Sequence, residues 1–333
     1  MIILGIETSC DDTGVAIVEV SGKKRPIFKI LSNVVSSQIK VHQKYGGVVP
    51  NLAAREHLRN IEPCLKTAFK EAKIKPKDID LIAVTVGPGL IPSLLIGVHF
   101  AKALAYKWQK PIVGVNHIEA HILANLLENK EIKFPAIALV VSGGHTQLIL
   151  IKKIGDYKIL GETRDDAAGE CFDKVAKLLK LGYPGGPEIS KQAEKAKKSS
   201  IELPRPMINH KNYDFSFSGL KTAVLYTIKN NKQRTMNKNF IRNLCGETQQ
   251  AIIDVLISKT MKVAKEYKAK TIILSGGVAA NEELRKQFKS KMQNFLVPVK
   301  NLCTDNAAMI AVAGYFNKST KNVKANANLR IGQ

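Results

Sequence analysis

Two stretches of the 333-residue chain carry the same plan. LGIETSCDDTGVAIVEV at 4–20 and LVVSGGHTQLILI at 139–151 each read as an apolar strand, a turn of small polar residues and a second apolar strand. Short turns force the flanking strands antiparallel, and a repeat of one hairpin later in a chain implies two related halves. Glycine-containing hairpins also occur in unrelated folds, so the echo gains its force from what surrounds it. Around it, strand and helix patterns alternate. Strands are expected at 1–7, 13–20, 26–36, 79–86, 111–115, 136–141, 147–152, 157–162 and 271–274. Helices are expected at 51–73, 93–108, 117–128, 169–181, 188–197, 220–229, within 237–267, and at 282–293 and 305–315. This alternation defines an α/β protein, with two related lobes facing a cleft. The tail 317–333 is polar, rich in Lys and Asn, and is expected to fray.

Composition narrows the function. Hydrophobic residues make up 45% of the chain, enough for a sizeable core in one large domain or two lobes. Fifty-one Lys and Arg against 28 Asp and Glu leave a net charge of +23, a field suited to a polyanion such as nucleic acid or an acidic membrane surface. A lysine-rich surface that binds nothing is the plain alternative. The five cysteines (10, 64, 171, 245, 303) show no CxxC spacing, which argues against a zinc ribbon and a disulfide scaffold. The opening MIILGIETSC lacks the basic start of a targeting signal, and the apolar run 90–106 is interrupted by Pro92, His99 and Lys102. A protein without a membrane span, in a reducing compartment, is expected.

Three features carry chemistry. In His117-Ile118-Glu119-Ala120-His121 the two histidines lie four apart, so on a helix they share a face and can point at one ion. Glu119 stands two residues past His117, about 200° around the helix at about 100° per residue, and so points away; this weakens a metalloprotease reading. The candidate third ligand is Asp305, and two His with one carboxylate suit Fe(II) or another divalent ion. Asp305 could also cap the last helix, a role that does not exclude the first. The second feature is a set of glycine turns, 87–89, 142–145, 182–187 and 275–277. None is a Walker A or GxGxxG loop, but together they favour a nucleotide lying against bare backbone. The third is 165–173: Asp165 and Asp166 read as cap and dipole charges for the helix starting near Gly169, and Asp173 as the ligand contact. Cys10 has no base nearby in sequence and reads as a small buried hydrophobe. The basic clusters 195–198 and 285–291 read as solvated faces able to touch phosphate.

Taken in order, GIETSCDDTGVAI, YGGVVPNLAAREH, GPGLIPSLLIG, NHIEAH, LVVSGGHTQL, DDAAGECFDKVAKLL, YPGGP, FSFSGLKTAV, LSGGVAAN and CTDNAAMIA resemble the tRNA N6-adenosine threonylcarbamoyltransferase family of bacterial TsaD type. The resemblance runs from Leu4 to about Tyr315. It implies a two-lobed actin/Hsp70/sugar-kinase-like fold with duplicated βββαβα lobes and an interlobe cleft. The first lobe would span 1–116 and be completed by 305–333, and the second would span 117–304. It implies a metal site at His117, His121 and Asp305 for one divalent ion, usually Fe(2+), with zinc the alternative. Val140, Val141, Ser142, Gly143, Gly144, Asp173, Gly186 and Asn281 match positions that contact threonylcarbamoyl-adenylate, and amides of the Ser142 turn could meet its developing charge. Archaeal and eukaryotic relatives place a tyrosine ligand just before the SGG turn; here Leu139, Val140 and Val141 stand there, leaving room for water or substrate on the ion. Ala307 and Cys171 replace the Gly and Ala of many bacterial relatives, small changes that leave the site intact.

The implied reaction carries the threonylcarbamoyl group to N6 of the adenosine that follows the anticodon (tRNA position 37) in tRNAs reading codons that begin with A. The implied partners are tRNA, a TsaB-like paralogue and a TsaE-like ATPase, and the implied location is the cytoplasm. No general base is assignable. Two other readings stand beside this one: a zinc-type peptidase, which an older label of the family suggests, and an ATP-binding regulatory subunit with a structural histidine pair.

Overall fold

The computed structural model describes residues 1–22, 25–128, 130–197, 200–231, 237–318 and 322–332. The chain divides into two compact units. The first comprises Met1–Ile132, Lys153–Tyr157 and Pro298–Gln333, and the second Lys133–Lys152 and Lys158–Val297.

The first unit opens with three antiparallel strands, β1 (Ile2–Glu7), β2 (Asp12–Ser21) and β3 (Ile27–Ser37). A short helix α1 (Ile39–His42) and the long α2 (Pro50–Ala72) lead to β4 (Leu81–Gly87), which pairs parallel to β1. Helix α3 (Ile91–Trp108) then returns the chain to β5 (Ile112–Asn116), parallel to β4. The sheet order is β3-β2-β1-β4-β5. Successive side chains of a strand face opposite ways, and the core follows that period. Leu4, Ile6, Ile17, Ile82 and Val84 pack with residues of α2 and α3 on one face. Ile3, Ala16, Val18, Ala83 and Val113 pack on the other, against α4 (His117–Leu123) and α10 (Ala307–Phe316).

The second unit repeats the scheme. Strands β6 (Ala136–Val141), β7 (Thr146–Lys153) and β8 (Asp156–Glu162) are followed by helices α5 (Ala168–Leu178), α6 (Gly185–Ala193), α7 (Ser218–Asn230) and α8 (Lys238–Glu266). Then come β9 (Thr271–Ser275), α9 (Glu282–Lys289) and β10 (Phe295–Leu296). The order β8-β7-β6-β9-β10 is that of the first sheet, with β6–β7 antiparallel and β6–β9 and β9–β10 parallel. The two hairpins read from the sequence therefore occupy equivalent places. The last pairs before their turns are Glu7 with Gly14 and Val141 with Thr146.

One strand has no counterpart among the expected elements, and one expectation fails. β10, two residues long, carries no period that a sequence could show. The tail does not fray among the described residues 322–332. Val323 and Ile331 are buried, and the Asn326 amide donates to the Val86 carbonyl at 2.7 Å, so two apolar anchors and a backbone bond hold a segment whose composition is polar. Among the described residues, no helix is long and apolar enough to cross a membrane.

Candidate metal centre and glycine bed

The first candidate site lies within the first unit. Asn116 ends β5, and its Oδ1 accepts from the amides of Ile118 (2.9 Å) and Glu119 (3.3 Å), which caps α4 and starts it at His117. Spacing by four then stacks the two imidazoles edge to face, centroids 4.6 Å apart at 82°. Asp305 arrives from the turn before α10, its Oδ1 3.5 Å from Nε2 of His117 and 3.2 Å from Nε2 of His121. The cap of that helix falls to the next residue, since Asn306 Oδ1 accepts from the Met309 amide at 3.1 Å. Helix capping and the histidine cluster thus use different side chains.

Glu7, at the end of β1, was not found in the sequence. It sits in an apolar strand, where the pattern shows only burial. Its carboxylate accepts from the Ser9 amide (2.5 Å) and from Thr85 Oγ1 (2.8 Å), and lies 2.9 Å from His117 Nδ1. A carboxylate held by donors is an acceptor, so Nδ1 carries the proton and Nε2 is left facing Asp305. Burial opposes a second proton on His117, but the Glu7 and Asp305 carboxylates outweigh it and hold the ring up at about 9. His121 is buried, its Nε2 facing Asp305 and its Nδ1 with no partner among the described residues, and burial holds it below the ordinary histidine value.

Buried imidazole nitrogens without donors, set beside a carboxylate, form a donor set that a cation would complete. The ligand atoms lie within 4.8 Å of one another. The separations of 3.2 and 3.5 Å are close to the about 3.0–3.4 Å between ligands that each stand about 2.1 Å from one ion. Carboxylates crowd the surroundings. Burial and the Asp305 charge raise the carboxyls of Asp11 and Asp12, the latter to about 7. Burial, then Asp11, pushes the Cys10 thiol well up, away from the thiolate that a nucleophile or ligand needs. Glu119 points away, as its position on the helix requires, accepting from Tyr157 OH (2.9 Å) and Asn317 Nδ2 (3.0 Å).

The second candidate site lies within the second unit, where β6 and β9 end side by side. Val140 and Val141 are buried in β6, and the chain turns at Ser142. Helix α5 begins against this turn: the Gly169 amide donates to the Ser142 carbonyl at 3.1 Å, and a Cβ on Gly169 would stand 2.5 Å from that oxygen. After β9, Gly276 takes φ +87 with its α-carbon against the Val141 carbonyl, a conformation and an approach that only glycine allows. Gly143, Gly144, Gly186 and Gly277 then face open space, leaving backbone bare. Two amides of the turn already have partners within it. Ser142 N donates to His145 O at 2.8 Å and Gly144 N to Ser142 Oγ at 3.3 Å, because a serine at this place closes the turn on its own hydroxyl.

The remaining predicted contacts have structural partners. Asp173 Oδ1 accepts from the Gly185 amide at 2.6 Å, joining α5 to the start of α6, on which Gly186 follows. Asn281 Nδ2 donates to Ser190 Oγ (2.9 Å) and Gln249 Oε1 (2.8 Å), while its Oδ1 caps α9 through Leu284 N (2.9 Å). Ser190 and Gln249, which tie helices α6 and α8 to that asparagine, carry no signal in the sequence. Asp165 does not serve α5. Its carboxylate accepts from the Phe217 and Ser218 amides and from the Ser216 and Ser218 hydroxyls, which outweighs burial and lowers its pKa. Asp166 instead pairs with Lys174 at 2.6 Å. Of the basic clusters, Lys195 and Lys197 are exposed, Lys198 lies outside the described residues, and Arg285 Nε donates to the Ala279 carbonyl.

A five-stranded α/β scheme repeated in both units, β3-β2-β1-β4-β5 and β8-β7-β6-β9-β10, is that of the actin/Hsp70 class of fold. Solved structures agree on the fold. Component A of the (R)-2-hydroxyglutaryl-CoA dehydratase of Acidaminococcus fermentans matches with TM-score 0.56 at 12% identity, over 95% of this chain and 98% of that one. Full-length HypF in its phosphate- and nucleotide-bound form matches with TM-score 0.57 at 13% identity, over 94% of this chain and 54% of that one. The family model for tRNA N6-adenosine threonylcarbamoyltransferase matches residues 29–312. The proteins of that name from Thermosipho africanus (strain TCF52B) and Bacillus thuringiensis (strain Al Hakam) are 50% and 48% identical, each over 99% of this chain and over 100% and 96% of their own. The chain belongs to the tRNA N6-adenosine threonylcarbamoyltransferase family.

Proposed function

We propose that this chain transfers the threonylcarbamoyl group from threonylcarbamoyl-adenylate to N6 of the adenosine at tRNA position 37, in tRNAs reading codons that begin with A. The observation that carries the reading is identity near one half along almost the whole length of family members. In the reaction a bond forms from N6 to the carbamoyl carbon and the bond from that carbon to the phosphate oxygen breaks. AMP leaves with the electron pair, and N6 loses one proton. The adenylate already stores the driving force, so the protein's work is binding and orientation.

For the adenylate, the bare backbone at Gly143, Gly144, Gly186 and Gly277 offers a bed where no side chain intervenes. Asp173 and Asn281 hold the start of α6 and the start of α9 around it. His117, His121 and Asp305 are the proposed ligands of one divalent ion, with Fe(2+) the first candidate and zinc the second, and Glu7 keeps His117 presenting Nε2. Such an ion supplies Lewis-acid polarisation and a fixed point for a donor oxygen. The net charge of +23 suits tRNA as acceptor. A TsaB-like paralogue and a TsaE-like ATPase are the proposed partners, and the cytoplasm the proposed location. The peptidase reading loses its support at Glu119, whose carboxylate is committed to Tyr157 and Asn317.

The test mixes the protein with enzymatically made threonylcarbamoyl-adenylate and unmodified tRNA, with and without the two partners, and analyses the nucleosides by mass. Threonylcarbamoyladenosine in the tRNA is the expected product. Its absence even with both partners present would overturn the proposal.

A further inference from the structure

Behind the histidine cluster, on the other flank of the loop that follows β1, lies a second pair of buried histidines that the reaction does not use. His42 and His57 are fully buried, as is Thr13, and Gln38 between them is 1% exposed. At one end, His57 Nε2 stands 3.0 Å from the Cys10 carbonyl; a carbonyl has no proton to give, so Nε2 donates and Nδ1 accepts. Thr13 Oγ1 at 2.8 Å and Gln38 Nε2 at 3.4 Å face that Nδ1. At the other end, the Val49 amide lies 3.3 Å from His42 Nδ1; an amide can only donate, so His42 carries its proton on Nε2, which reaches Gln38 Oε1 at 3.0 Å. Both termini therefore fix one direction of donation, from Val49 through His42, Gln38 and His57 to Cys10, with His57 as the neutral form protonated on Nε2. Burial holds the His57 ring below its ordinary value, which agrees with that neutral form.

The chain ends where it has an effect. Three successive carbonyls of the loop are held. Ser9 O accepts from the Leu90 amide at 2.8 Å and Asp11 O from the Gln38 amide at 3.1 Å; between them Cys10 O receives a side chain, that of His57. The loop in turn carries Ser9 Oγ to 3.3 Å from His117 Nδ1, and brings Asp11 and Asp12 near enough to Asp305 for its charge to raise both carboxyls. We infer that His57 is a positioning residue for the 9–12 loop of the metal centre, delivering a hydrogen bond whose direction is set by His42, Gln38 and Thr13. The inference rests on reading His117, His121 and Asp305 as a metal site and is independent of the transfer reaction.

Binding of Co(2+) alone to the purified full chain, followed through its visible absorption bands, tests it in three proteins. Wild type is expected to bind. His57→Phe, which keeps the volume and loses both bonds, is expected to bind about tenfold more weakly with an altered band shape, the low end of what outer-shell losses cost. His57→Gln can still donate to Cys10 O and accept from Thr13, and recovers most of that affinity. Circular dichroism at the titration temperature confirms that each variant is folded, and long-range proton–nitrogen NMR correlations are expected to show His42 and His57 protonated at Nε2. His57→Phe binding Co(2+) with wild-type affinity and spectrum, or an Nδ1-protonated His57, overturns the inference while leaving the metal site standing. Failure of the wild-type protein itself to bind overturns the metal reading and this inference with it.

Discussion

His121 shows what a buried imidazole costs the fold. A ring buried with its Nδ1 unpartnered forfeits about 1–3 kcal/mol relative to an apolar side chain of like volume. His121→Leu should therefore melt no lower than wild type when both are measured with a chelator, and should lose the rise in melting temperature that a divalent ion gives wild type. A drop of several degrees in chelator would show that the imidazole stabilises the fold by itself. The histidine pair was legible in the sequence because a spacing of four is a helical contact. Glu7 was not, since in a strand buried on both faces a carboxylate and a leucine occupy equivalent places in the pattern. Asp165 was misread for a related reason: its partners, Ser216 to Ser218, lie about fifty positions downstream, and short-range capping logic cannot reach them.

At the scale of elements, α10 decides where Asp305 stands. This helix is buried from Ala307 to Gly314 and packs on β1, β2, β4 and α4. It approaches the sheet closely because Gly14 offers no side chain; a Cβ there would meet Ala307 N at 3.1 Å and its Cβ at 3.3 Å, with Glu7 Cβ also at 3.3 Å. Gly14→Val should push the helix off the sheet, at about 1–3 kcal/mol for overpacking, and carry Asp305 with it. Urea unfolding and a metal titration should then show both losses in one variant, whereas full metal affinity in a destabilised protein would disconnect the helix from the site. Strand and helix periodicity located this architecture well, and Asp305 could be placed at the mouth of α10. The handover of the cap to Asn306 depended on a single φ/ψ choice that no pattern encodes.

Across the whole molecule, a net charge of +23 acts on association rather than on folding. Binding of unmodified tRNA should weaken steeply with salt, on the order of a thousandfold between about 50 and 200 mM if some six phosphates are contacted. Anisotropy titrations over that range measure the slope; a value near −1 would mean that the lysines mostly solvate the surface. The same view shows how the first unit is threaded, from Met1–Ile132, Lys153–Tyr157 and Pro298–Gln333. Its histidines are translated well before the carboxylate that joins them, Asp305, with most of the second unit in between. While the second unit is being synthesised, the nascent first unit therefore presents an imidazole pair without its acid, and a β-sheet face still waiting for α10. The His117–His121–Asp305 cluster is completed only once residue 305 has been made, so a product cut short of it cannot assemble the set.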